Sequence, residues 1–312
     1  MADQVVHGVH DYDEDPRNDA VLIYVSGEPT HRAEAVVSVF DSGFVLGDGV
    51  WEGLRVHGGH PVFLDQHLDR IYEGAKAIAL DIGLSRHDLR SAIYQTLRAN
   101  GMTDDVHVRL MVTRGVKRTP YQDPRMTVGP ATIVIVPEYK QPTRAVLDTG
   151  IRLFTVHVRR PYPDVLDAKL NTHSKLNDIT ACIQAYTAGA DEALMLDPHG
   201  FVATCNSTHF FVVRRGELWT SSGAFCLGGI TRATVLRLAL DAGIPTYERD
   251  FSLTDVYGAD EAFVTGTFAG IVPVREVDGR MIGEGDSRPV MHRLRTLYQA
   301  AIDRDVAEAA RR

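Results

Sequence analysis

The sequence predicts an α/β protein of the α+β kind, with mixed sheets and two domains. Three observations predict it. The chain has 312 residues, more than one hydrophobic core normally organises. Segments with strand and helix periodicity alternate in both halves, yet no GxGxxG turn joins a strand to a helix, which argues against a dinucleotide-binding domain. A polar stretch with two prolines, from Pro137 to Gly150, separates the halves and reads as a linker. The boundaries that follow are a flexible acidic arm over 1–20, a smaller N-terminal domain over 21–140, the linker at 141–150 and a larger C-terminal domain over 151–312.

Each element has its own signal. Residues 1–20 are acidic and contain histidine, with no apolar core of the signal-peptide kind. Ala35 to Val39 alternates as a strand. Glu52 to His57, Gly58-Gly59 and His60 to Leu64 read as a β-hairpin, because paired glycines supply the positive φ of a tight turn. Leu68, Ile71, Tyr72, Ala75, Ile78 and Ala79 recur at helical spacing, with Asp65 as cap. Ser85 and Asp88 form a capping-box pattern ahead of Leu89, Ile93, Tyr94 and Leu97, and Gly101 stops that helix. Val106 to Thr113 and Thr132 to Val136 are rich in β-branched residues. In the second half, Ile151 to Val158 is a strand, followed by a Pro-rich bend and a helix over Ser174 to Ala188 that ends at Gly189. Strands at Glu192 to Leu196, Phe210 to Arg214, Glu217 to Thr220 and Glu261 to Thr265 surround a helix over Thr231 to Ala242, and the tail from Val290 is helical.

Composition narrows the function. The 44% hydrophobic and 24% charged residues are those of a soluble globular protein. A formal net charge of -8 opposes nucleic acid and anionic membranes as partners, since both need clustered Lys and Arg. It leaves room for an anionic small ligand in a local basic cup. Cys182, Cys205 and Cys226 form no CxxC pair, so no metal site and no disulfide framework is suggested, and a cytoplasmic location is the simplest expectation. No stretch is apolar for long enough to cross a bilayer. Neither a GxSxG elbow nor an HExxH helix is present.

Four stretches resemble the class IV aminotransferases, the fold type IV pyridoxal-phosphate enzymes that include branched-chain and D-amino-acid aminotransferases and aminodeoxychorismate lyase. They are Phe40-Asp41-Ser42-Gly43-Phe44-Val45-Leu46-Gly47-Asp48-Gly49-Val50-Trp51-Glu52 with His67-Leu68-Asp69-Arg70; Ala190-Asp191-Glu192-Ala193-Leu194-Met195-Leu196-Asp197; Leu227-Gly228-Gly229-Ile230-Thr231-Arg232; and Ala259-Asp260-Glu261-Ala262-Phe263-Val264-Thr265-Gly266-Thr267, running on to Val272-Pro273-Val274. The resemblance implies that family's two-domain architecture with the site in the interdomain cleft. It also implies pyridoxal 5'-phosphate as cofactor, a small amino or keto acid as substrate, and a homodimer.

A phosphate group needs fixed positive charge and backbone N–H donors. Arg70 matches the family's phosphate arginine, Gly229-Ile230-Thr231 opens a helix, and Thr267 matches a hydroxyl donor. Taken singly, Arg70 reads as a surface residue on an amphipathic helix and Thr231 as an ordinary helix cap; together, in the family's register, they read as a phosphate cup. Arg114 matches an arginine that binds substrate carboxylate in D-amino-acid enzymes. A solvated strand end is the competing reading. Phe44 and Phe268 join it on the substrate side.

Two positions depart from the family. Aligned without gaps on Leu166-Asp167 and Asp191-Glu192, the covalent lysine falls on Asn171, which has no amine. The glutamate that pairs with the pyridine nitrogen falls on Thr204, whose hydroxyl supplies no charge to keep that nitrogen protonated. Lys169, two residues upstream and on the same face if the segment is a strand, and Lys175 are the candidate substitute amines. His173 and His209 offer proton transfer near neutral pH, against the alternative of satisfied histidines. Three readings remain. One is a pyridoxal-phosphate enzyme with a relocated lysine. Another is a repurposed enzyme that grips a phosphorylated ligand, or the cofactor without a covalent link. The third is a non-catalytic binding subunit.

Overall fold

The computed structural model describes residues 8–285 and 287–311. It divides into two compact units. One holds 14–141, 170–175 and 304–311; the other holds 8–13, 142–169 and 176–303 except 286.

The N-terminal unit is a six-stranded sheet with helices. Its strands are β1 (Leu22–Val25), β2 (Glu28–His31), β3 (Gly49–His57), β4 (His60–Pro61), β5 (Val106–Thr113) and β6 (Thr132–Tyr139), in the order β2-β1-β6-β5-β3-β4. Every pairing is antiparallel. The helices are α1 (Ser42–Leu46), α2 (Leu64–Ala77) and α3 (Arg86–Ala99). Leu68 and Ile71 of α2 and Leu89, Ile93 and Leu97 of α3 are buried with Leu54, Val56, Val106 and Val108. The helical and strand periodicities therefore meet in one core.

The Gly58-Gly59 hairpin forms with His57 opposite His60, and both glycines have positive φ, 56° and 73°. Ser85 caps α3, accepting from the Asp88 amide at 3.2 Å. Asp65 is not the cap of α2. Phe63 holds that place at φ 54° without a side-chain cap, and its amide is tied to Asp305 at 2.7 Å.

The C-terminal unit is built on a nine-stranded mixed sheet. In chain order it contains α4 (Arg144–Thr149), β7 (Ile151–Thr155), α5 (Pro163–Leu166), α6 (Leu176–Thr187), β8 (Glu192–Leu196), β9 (Val202–Cys205), β10 (His209–Arg214), β11 (Glu217–Thr220), α7 (Ile230–Asp241), β12 (Thr246–Glu248), α8 (Leu253–Tyr257), β13 (Glu261–Gly266), β14 (Gly270–Val277), β15 (Arg280–Met281) and α9 (Pro289–Ala309), whose last residues count with the N-terminal unit. The sheet order is β12-β11-β10-β13-β14-β7-β8-β9, with β15 on β14. β7 runs parallel to β8 and β14, and β11 parallel to β12.

Several expectations need correction. Ala35 to Val39 is not a strand: it finds no sheet neighbour, and Val36 and Val39 stand 77% and 66% exposed. The strands that do form there, β1 and β2, turn at Ser26 and Gly27, both at positive φ. The stretch read as linker carries the end of β6 and the whole of α4, whose Val146 is buried. Residues 1–7 of the arm lie outside the described residues. The rest is anchored at two points, since Asn18 exchanges two hydrogen bonds with the Tyr139 backbone and Val9 is in the core. β14, for which no strand is expected, carries Pro273, and its register with β7 shifts between Val274 and Glu276.

The Cβ of an alanine at Gly59 would meet nothing closer than 3.9 Å, so the cost of Gly59→Ala is backbone strain alone, about 1–2 kcal/mol. Urea unfolding should show a lower midpoint with an unchanged slope.

Candidate functional site

β5 and the short β4 leave the start of the other edge of β3 open, and residues 170–175 occupy it. The Trp51 amide donates to Asn171 O at 3.0 Å, and the His173 amide donates to Gly49 O at 3.0 Å. Val50 and Thr172 form an isolated antiparallel bridge. Side chains reinforce the pairing. Asn171 Nδ2 donates to Trp51 O at 2.7 Å, and Trp51 Nε1 donates to Thr172 O at 3.0 Å. Asn171 is buried, and its Oδ1 accepts from Lys175 Nζ at 3.3 Å. The same ammonium lies 5.3 Å from the Trp51 ring centroid. His173 Nε2 donates to Val50 O at 3.1 Å, and burial holds its pKa below the ordinary value.

The two candidate lysines are therefore unequal. Lys169 is exposed and sits in a turn, so the same-face argument for it fails; its amide is bound to Asp167 Oδ1 at 2.9 Å. Lys175 reaches the side chain of residue 171.

Next along β3, on the opposite face from Trp51, lies Glu52, which is fully buried. Arg70 grips it bidentately, Nε to Oε1 and Nη2 to Oε2 both at 2.7 Å, and His67 Nδ1 lies 2.6 Å from Oε2. Burial pushes the Glu52 carboxyl up, but the Arg70 and His67 hydrogen bonds outweigh it and the net shift is downward. Burial likewise pulls His67 below its ordinary value against the raising effect of Glu52. Arg70 thus arrives on α2 already oriented by a carboxylate. Arg114 is committed to Asp48 through Nε and Nη2 at 2.7 and 2.9 Å and to the carbonyls of Ala79 and Ile78 at 2.7 and 2.8 Å. The fork assigned to a substrate carboxylate is spent inside the unit. Phe44, on α1, is 70% exposed. A cleft of about 620 Å³ in this unit lies elsewhere, around His60, Tyr94, Arg98 and Asp305.

In the C-terminal unit, α7 starts at Gly229 with no side-chain cap, so the amides of its first turn have no partner within the helix. His209 explains the glycine: a Cβ at 229 would lie 2.3–3.0 Å from its ring. His209 Nε2 is 2.7 Å from Leu227 O, which makes it a donor that shapes the loop ahead of the helix. Thr231 is buried, with Oγ1 3.4 Å from the Tyr298 hydroxyl. Thr267 and Phe268 lie in the turn between β13 and β14, and Phe268 is buried and stacked on His10.

Thr204 Oγ1 donates to Thr208 O at 2.8 Å, and the Thr208 hydroxyl donates to Glu192 Oε1 at 2.9 Å. Glu192 also receives the Ser207 amide and hydroxyl at 3.0 and 2.7 Å. Burial nevertheless raises its pKa. The carboxylate nearest to Thr204 along this chain of bonds is Glu192: its Oε1 takes the Ser207 amide and the Ser207 and Thr208 hydroxyls, while its buried Oε2 meets no hydrogen-bond donor among the described residues. The residues fit a phosphate at the start of α7 and do not fit a charged partner for a pyridine nitrogen at 204.

The sequence reading missed Glu52, His67 and Glu192 as working residues. A lone acid in the apolar run of β3, followed by His67 and Arg70 one helical turn apart, was the available signal for the first two.

The profile of the class IV amino-transferases matches residues 49–277. The chain is 32% identical over 285 residues to the branched-chain-amino-acid aminotransferase of Pseudomonas aeruginosa, covering 89% of this chain and 91% of that one. It is 41% identical over 288 residues to branched-chain-amino-acid aminotransferase-like protein 2 of Arabidopsis thaliana, covering 92% of this chain but 51% of the relative. The chain thus spans about half the length of that protein. Among solved structures, a T.th. branched-chain amino acid aminotransferase complexed with N-(5'-phosphopyridoxyl)-L-glutamate superposes with a TM-score of 0.83 at 32% identity, covering 91% of this chain and 95% of that one.

Removing the carboxylate in Glu52→Ala leaves buried His67 and Arg70 without their partner, so stability should fall by roughly 3–5 kcal/mol in urea unfolding. The pH dependence has a definite sign. His67 titrates below its ordinary 6.5 in the folded chain, so the stability it contributes is complete above that value and is lost as pH falls through the depressed one. Glu52, lowered from 4.5, adds a second loss at lower pH. His67→Gln should flatten the first part of this decline, measured at intervals from neutral pH downward.

Proposed function

The chain belongs to the class IV aminotransferase family, and we propose from that premise that it performs amino-group chemistry on a small amino or keto acid with pyridoxal phosphate, with Lys175 supplying the amine that residue 171 lacks. The observation that carries the proposal is the 3.3 Å contact between Lys175 Nζ and Asn171 Oδ1. It brings an amine to the side-chain position where the family's lysine belongs. The solved relative's complex with a phosphopyridoxyl amino acid supports the ligand class.

When bound, the cofactor supplies a reactive carbonyl and an electron-withdrawing ring. The chain's own groups do the rest. The first-turn amides of α7 and the Thr267 hydroxyl hold phosphate, and Gly229 lets the start of that helix pack against His209. Arg70 carries the phosphate role the family resemblance gives it, oriented by Glu52. Asn171 aims the Lys175 amine through its Oδ1, and Lys175 moves the proton at the substrate carbon. Thr204 provides a hydroxyl where a carboxylate would hold a ring proton, so the chemistry is altered from ordinary transamination.

Thr204 also favours a second reading: a repurposed enzyme that holds a phosphorylated ligand without a covalent link and uses His173 or His209 for proton transfer. We further propose a homodimer, because α6 exposes an uncharged apolar face at Leu176, Ile179, Ile183 and Tyr186. Sedimentation showing a monomer at micromolar concentration would remove that part.

Borohydride reduction with added pyridoxal phosphate, followed by peptide mass mapping, tests the main reading. A label on Lys175, absent in Lys175→Ala together with a loss of turnover of about 10²–10⁴-fold, is expected. A label on Lys169 or elsewhere overturns it. Ligand uptake with no label, and turnover lost in His173→Ala, favours the second reading; an inert chain favours a binding subunit.

A further inference from the structure

The first described residues of the chain are fastened beside the turn that carries Thr267. The Asp11 amide donates to Gly8 O at 2.9 Å and closes a turn. Val9 is 3% exposed, within the apolar core of the C-terminal unit. A Cβ at Gly8 would come within 3.2 Å of Asp191 O, so the backbone lies close against the end of the α6–β8 connection. His10 is thus pinned on both sides, and its imidazole stacks on Phe268 with ring centroids 5.6 Å apart and planes at 17°. Phe268 is itself 4% exposed. It belongs to the three-residue tip between β13 and β14, whose pairing ends at Gly266 opposite Gly270. The strands fix the base of that tip, but no ladder bond fixes residues 267–269. Ala269 packs against the apolar core of the unit, and Phe268 is buried with His10 stacked on its ring.

We propose that residues 8–11 are a positioning element for the phosphate subsite: His10 holds Phe268, and through it sets the placement of the adjacent Thr267 hydroxyl. The inference rests on the reading above that Thr267 serves a phosphate. His10 reaches the ligand only through Phe268, so it is a positioning residue and not a catalytic one. Stacking is the working contact because the two planes are nearly parallel, a geometry that a flat aromatic ring at position 10 reproduces and a methyl group does not.

The test uses the full chain with His10→Ala and His10→Phe, and reads two quantities. Hydrogen exchange at the Phe268 and Ala269 amides is measured on ligand-free protein, and pyridoxal phosphate affinity by equilibrium absorbance titration. In His10→Ala, exchange at both amides should quicken and affinity should weaken by about five- to tenfold, with the thermal midpoint unchanged. His10→Phe should restore both. Unchanged exchange in His10→Ala overturns the proposal. So does quickened exchange with unchanged affinity, provided Thr267→Val weakens binding. If Thr267→Val leaves affinity unaltered, or the chain takes up no pyridoxal phosphate, the phosphate role of Thr267 falls with the functional reading. Exchange alone then still decides whether His10 positions the tip.

Discussion

The pairing of residues 171–173 with the first residues of β3 is the constraint on which the site's geometry depends. Two backbone bonds, Trp51 to Asn171 and His173 to Gly49, lock the segment in register. A slip of one residue would turn every side chain to the other face. In the observed register, Asn171 bonds both Trp51 O and the Lys175 ammonium. Two cations lie over the Trp51 ring as well, the Arg109 guanidinium 3.8 Å and the Lys175 ammonium 5.3 Å from its centroid. The ladder fixes Asn171, and Asn171 Oδ1 in turn holds the Lys175 ammonium; Lys169 sits exposed in a turn.

The charged groups of the N-terminal unit show how burial selects partners. Glu52 is too deep to be charged alone, and it stays ionised because Arg70 and His67 meet both oxygens. Arg114 follows the same rule with Asp48 and two carbonyls at the end of α2. The two arginines looked alike as candidate anion binders. Each fork is met by one carboxylate, Arg70 by fully buried Glu52 and Arg114 by Asp48; Arg114 in addition bonds two carbonyls and so ties the end of β5 to the end of α2.

In the C-terminal unit a different economy operates. The turn between β9 and β10 is held from within by Glu192 through Ser207 and Thr208, and Thr204 joins the same chain of bonds. The hydroxyl at 204 is thus a satisfied structural group. His209, at the start of β10, presses against Gly229 and bonds Leu227 O, so it shapes the approach to α7. The Thr204 hydroxyl and the His209 imidazole are thus each taken up by short-range packing, with the Thr208 and Leu227 carbonyls respectively.

Much of this was legible in the sequence because it is local. The Gly58-Gly59 turn, the Ser85 cap, and the buried faces of α2 and α3 depend on residues within a few positions of each other, and the motif order alone carried the family and the candidate residues Asn171, Thr204, Arg70 and Gly229. The errors came where the outcome depends on distant partners. Ala35 to Val39 has a strand's pattern but no neighbouring strand, and the supposed arm is held by Tyr139 and by an apolar core far along the chain. Asp305 fastens α2 from 242 positions away. Residue types thus determined which chemistry was available, namely an amide without an amine, a hydroxyl without a charge, and two lysines. Only the tertiary structure decided which lysine reaches residue 171 and which arginine is already spent, because hydrogen bonds and burial join groups by distance in space, and spacing along the chain does not encode that distance.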